Sequence, residues 1–73
     1  MEPASSKQLE YVYSLVKNYL DFLLDFEQTT ENDVVHFLNE EYGAWLEQPL
    51  KQLSDLQSFE ASEIIQRLRD GEV

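Results

Sequence analysis

The stretch Lys7 to Glu27, KQLEYVYSLVKNYLDFLLDFE, decides the fold class. At about 100° per residue its apolar and aromatic side chains form one continuous arc of roughly 220°, twice the stripe usual for a surface helix. Tyr11 and Phe22 lie at one edge of the arc, Tyr13 and Leu24 at the other, with Val12, Leu23 and Val16 near its centre. Lys7, Glu10, Ser14, Lys17, Asn18, Asp21 and Asp25 share the remaining sector. A helix this apolar must be wrapped on two sides, by its own chain or by a partner.

Working outward, Ser5 with Gln8 fits a capping box: the serine oxygen accepts a backbone N–H and the glutamine reaches back. Residues 1–4 are expected to fray as a disordered tail, leaving 5–71 as a single helical domain. Beyond Glu27, Gln28-Thr29-Thr30 breaks the apolar pattern. Thr30 is a good N-cap, and Glu31 and Asp33 put negative charge on a first turn, where the helix dipole favours it. The second helix carries Val34, Val35, Phe37, Leu38 and Tyr42. Gly43 stands where a left-handed residue would end it.

From Ala44 to Leu56, Trp45, Leu46, Leu50, Leu53 and Leu56 recur at mostly helical steps. Pro49 is tolerated in a first turn but not deep inside a helix. The spacing predicts a turn at Ala44–Gln48 and a helix from Pro49 to about Gln57, or a single helix from Trp45 kinked at Pro49. Ser58 is expected to cap a last helix whose core face is Ala61, Ile64, Ile65 and Leu68. Arg67 and Arg69 fall in its last turn, and Gly71 stops it. No stretch alternates with period two long enough for a strand. The expected architecture is all-α, a compact bundle of about four helices around the long first one.

Composition narrows function more by exclusion than by assignment. Seventy-three residues make one domain near the lower limit for a self-sufficient core. With no cysteine there is neither a disulfide nor a zinc–thiolate site. No apolar run approaches the roughly 20 residues of a membrane span. The opening MEPASSK lacks a signal layout, so a cytoplasmic location is the expectation. Fifteen acids against five Lys and Arg give a net charge of −10. That balance argues against direct nucleic-acid binding, which needs a cationic footprint, and favours attraction to a basic partner. Keeping a small domain in solution is the plainer use of the same acids.

Catalytic signatures are missing. Two glycines leave no phosphate-cradling loop, and the serines have no base to activate them. His36 shares a helical face with Asp33 and Glu40, which is half a metal site at most. A surface histidine beside acids is the simpler reading. Glu40 and Glu41 diverge by about 100° and do not pair. Neither a metal nor a cofactor is expected, and the chain is read as a non-enzyme. The residues proposed to meet a partner are the acids Glu31, Asp33, Glu40, Glu41 and Glu47, and the aromatic edges Tyr11, Tyr13 and Phe22. Trp45 joins that set, although core or semi-buried packing is its first reading.

The ends of the chain carry a further pattern: Lys7-Gln8-Leu9 with Tyr11 and Leu15, then Leu56, Glu60-Ala61-Ser62, Ile65 and Leu68. This resembles a small helical module, Lys-Gln, Glu-Ala-Ser, Ile-x-x-Leu, found in prokaryotic and phage recombination, nuclease and uncharacterised proteins. The match spans about a third of the positions, most of them core and cap sites. The acid-rich middle, Gln28 to Leu53, departs from it. The resemblance implies a setting in prokaryotic or phage nucleic-acid metabolism rather than a mechanism. The leading expectation is thus an acidic protein-interaction domain with a basic protein partner. The alternatives are an inhibitor or antitoxin that mimics DNA on a basic groove, and a structural homodimer.

Overall fold

A computed structural model describes residues 2–24 and 29–71, with the Leu24 side chain excepted. Helix α1 spans Ser6–Leu24, α2 Glu31–Tyr42 and α3 Ser58–Arg69; two short 3₁₀ turns, Gly43–Trp45 and Leu53–Asp55, lie between α2 and α3. No strand occurs among the described residues. The helical class is as expected, and three α-helices with two short 3₁₀ turns among the described residues are roughly consistent with the expected count of about four. The expected end of α1 near Glu27 lies outside the described residues, as do Phe26 and the Leu24 side chain.

Each helix begins where its cap residues dictate. At α1 the Ser5 N–H donates to Gln8 Oε1 at 2.9 Å and the Gln8 N–H to Ser5 Oγ at 3.1 Å. Gln8 does more than cap. Its amide also donates to Ser62 Oγ at 3.1 Å, and its Oε1 accepts from the Ser58 hydroxyl at 3.3 Å. One side chain therefore ties the first turns of α1 and α3 together. At α2 the Thr30 hydroxyl accepts from Asp33 N–H while Asp33 accepts the Thr30 N–H, a reciprocal pair that satisfies two donors the helix cannot.

Part of the apolar arc of α1 is covered from two sides, while Tyr11, Phe22 and Leu23 stay exposed. Val12 and Val16 are wholly buried, with Leu20 nearly so, and Val34, Leu38, Leu56, Ala61 and Ile64 close the core over them. Leu9, Tyr13, Tyr19, Ile65 and Leu68 pack against its margin. The radius of gyration, 11.3 Å, matches the ~11 Å expected of a folded chain this long, so the body is closed.

Four expectations are corrected. Gly43 has φ −55°, so it is right-handed and leads α2 into a 3₁₀ turn, with Leu46 N–H bonded to the Gly43 carbonyl at 3.2 Å. The helix expected from Pro49 to Gln57 does not form, nor does the kinked alternative. Its backbone groups are taken by side chains. Asn39 Nδ2 donates to the Leu50 carbonyl at 2.9 Å and Asn39 Oδ1 accepts the Leu50 N–H at 2.8 Å. Asp55 accepts the N–H groups of Lys51 and Gln52. Leu50, Leu53 and Leu56 still reach the core, by an irregular path. The N-cap of α3 is Gln57, one residue before the expected Ser58; the Gln57 N–H donates to Glu60 Oε1 at 2.9 Å. Residues 2–4, expected to fray, run antiparallel to this junction: Ala4 N–H bonds to the Leu56 carbonyl at 3.0 Å and Ser58 N–H to the Glu2 carbonyl at 2.8 Å. Gly71 does stop α3, at φ 75°.

Candidate interaction surfaces

Two carboxylates near the irregular segment are committed to the backbone. Glu60 is buried, and its two oxygens accept N–H groups from Gln57 and from Glu47, the latter at 3.1 Å. It thereby fastens the chain after Trp45 to the start of α3. Asp55 does the same in the second 3₁₀ turn. The Lys51 and then the Gln52 N–H hold its carboxyl below the usual 3.8. A polar recess of about 330 Å³ between these groups is lined by Glu47, Pro49, Lys51, Asp55 and Glu60 among others. Asp55 and Glu60 are structural clamps there, since a carboxylate that accepts two backbone donors has much of its acceptor capacity filled.

The five acids expected to form one face do not gather. Glu31 is exposed on the first turn of α2, while Asp33, two residues on and about 160° round the helix, serves its cap. Glu40 is exposed with His36 Nε2 4.0 Å away; Glu41 is exposed on another side. Glu47 lies in the irregular segment, where its carboxylate is 3.5 Å from Gln57 Nε2. Among the described residues no three His, Asp or Glu side chains are placed to hold a metal ion.

The aromatic residues also separate. Tyr11 and Phe22 align on α1, and Phe22 is 85% exposed, the most open large apolar side chain among the described residues. Trp45 is 48% exposed and belongs to another cluster. Tyr19, Phe37, Tyr42 and Trp45 form a ladder of ring contacts, the buried Phe37 and Tyr42 in its middle, with centroids 5.5 to 6.3 Å apart. Arg67 stacks on the outer end, its guanidinium carbon 4.3 Å from the Trp45 ring centre, while its Nε donates to Glu63 at 3.0 Å. Trp45 is therefore held as a structural plate as well as a surface.

Tyr13 is different again. It is half-buried, its hydroxyl donates to the Thr29 carbonyl at 3.1 Å, and its ring walls an open depression of about 480 Å³. Leu9 and Leu53 complete an apolar floor; Glu10 and Glu31 stand exposed at the rim with Ser14 and Ser54. No Lys or Arg lines it. Lys17, one turn beyond Tyr13, is held 2.7 Å from Asp21. That contact raises the lysine pKa and, with the Thr29 hydroxyl bond, lowers the aspartate's.

Sequence reasoning passed over Phe59, 51% exposed, and Leu23, 53% exposed. Phe59 carried a visible signal: it lies about 160° from Ala61, on the polar side of α3. Leu9 and Leu53 carried none, because both also read as core. No helix among the described residues is long and apolar enough to cross a membrane. No family model, curated protein or solved structure matches the chain.

Proposed function

We propose that this chain is a non-catalytic protein-interaction domain that offers acidic, apolar-studded surface to a basic protein partner. One observation carries the reading: a chain of net charge −10 leaves Tyr11, Phe22, Leu23, Trp45 and Phe59 substantially exposed. Charge alone would serve solubility, and scattered apolar side chains alone are ordinary. Together they supply the steering and the anchors that an interface needs. The scattering of the five acids over several sides supports this over DNA mimicry, which requires phosphate-like spacing along one face. A setting in prokaryotic or phage nucleic-acid processing rests on the resemblance of the chain ends alone.

The test is affinity capture with the full chain, followed by charge reversal. The variant Glu31→Lys/Glu40→Lys/Glu41→Lys should release basic partners bound by the parent chain, and rising salt should do the same. Partners retained equally by both proteins would overturn the proposal. A complex that duplex DNA competes away would favour the mimic.

A further inference from the structure

Resting on that reading, we infer that the depression bounded by α1, the start of α2 and the second 3₁₀ turn is the docking site for a cationic amphipathic helix. Its floor is apolar, Leu9, Tyr13 and Leu53, and its rim bears Glu10 and Glu31 with no lining cation. An occupant must therefore present an apolar side chain flanked by lysine or arginine. The apolar residue fills the floor and the flanking cations meet the two carboxylates, the arrangement of a helix laid in a groove. A second copy of this chain fits poorly, since five Lys and Arg are spread among fifteen acids.

The walls are preorganised. Tyr13 is fixed by its bond to the Thr29 carbonyl. Leu53 is anchored in the core, and Asp55 holds the turn that carries it. Little ordering is therefore needed on binding, which favours affinity. Tyr11, Phe22 and Trp45 lack this combination of concavity and acidic rim.

The experiment is an amide NMR titration of the full ¹⁵N-labelled chain with two synthetic peptides of equal charge, an amphipathic Lys/Leu helix and a Lys/Ser control. The Lys/Leu helix should bind at least about tenfold more tightly, the worth of one buried leucine. Shifts should concentrate at residues 9–14, at Glu31 and at residues 53–54. Ser54→Trp, which fills the depression from an exposed position, should weaken binding about tenfold or more, as should Glu10→Lys/Glu31→Lys. Circular dichroism checks that both variants keep the parent's helicity. If the Lys/Leu helix instead shifts Phe22 or Trp45, or Ser54→Trp binds as the parent does, the depression is not the site and the interaction reading stands. Equal, diffuse binding of the two peptides likewise rules out the depression and leaves the interaction reading in place. If neither peptide binds at low salt, both proposals fall.

Discussion

At the scale of single residues, the described structure relies on polar side chains that stand in for backbone partners. Glu60 is the clearest, a buried carboxylate that accepts one N–H from thirteen residues away and another from its own helix start. Removing it strands two part-buried donors, and an unsatisfied group costs up to about 1–3 kcal/mol as its burial rises. Glu60→Ala should therefore lower stability by about 2–4 kcal/mol, read as a lower urea midpoint, with Glu60→Gln in between because one acceptor oxygen survives. An unchanged midpoint for the alanine variant would mean that water replaces the carboxylate freely. Asp55 gives a pH-dependent counterpart. Its folded pKa lies below 3.8 because the Lys51 and Gln52 N–H groups favour the ionised form. A depressed carboxylate contributes stability in full above its unfolded pKa and loses it as pH falls through the folded value. Asp55→Asn should accordingly melt below the parent at pH 7, and the gap should close as pH falls below about 3.8. A gap that persists in acid would assign the effect to shape instead of charge.

At the scale of elements, the end of α2 separates two accounts of one glycine. Gly43 occupies φ −55°, and a Cβ there meets nothing within 4 Å. Gly43→Ala should raise stability by about 0.4–1 kcal/mol by restricting the unfolded chain. A left-handed Gly43 would give loss instead, so thermal melting decides the matter. The three long helices were legible in the sequence because apolar period and caps agree: Ser5 with Gln8, Thr30 before Glu31, and Gly71 at the end. The segment after Gly43 was not. Its leucines keep near-helical spacing, yet Asn39 binds Leu50 from eleven residues away and Glu60 binds Glu47 from thirteen. Partners so distant leave no mark on local periodicity, so a helix was expected where side chains hold a loop. The candidate site was half legible for the same reason. Tyr13, Glu31 and the other acids could be named, but which acids serve caps and which stay free depends on tertiary neighbours. Leu9 and Leu53 could not be told from core until α1, α2 and the second 3₁₀ turn were seen to meet around them.

At the scale of the whole molecule, salt distinguishes the two ways in which exposed apolar side chains can be covered. Two copies of a chain with net charge −10 repel. In salt-free water at ~30 Å between centres this amounts to about 14 kcal/mol, treating each as a point charge. At physiological ionic strength the screening length is about 8 Å, and most of that repulsion disappears. Self-association through Phe22, Leu23 or Phe59 would therefore strengthen as salt rises. Binding of a cationic helix changes in the opposite sense, because the same screening removes its attraction. Sedimentation equilibrium of the full chain at low and moderate salt should give a monomer in both conditions, with the buried part of the apolar arc of α1 covered by α2, α3 and the leucines between them. A dimer that grows with salt would show the open edge of α1 covered by a second copy, and Phe22→Ser would then dissolve it. A monomer in both conditions leaves the exposed side chains free, and a Lys/Leu helix whose affinity falls with salt would identify the partner's charge by its sign.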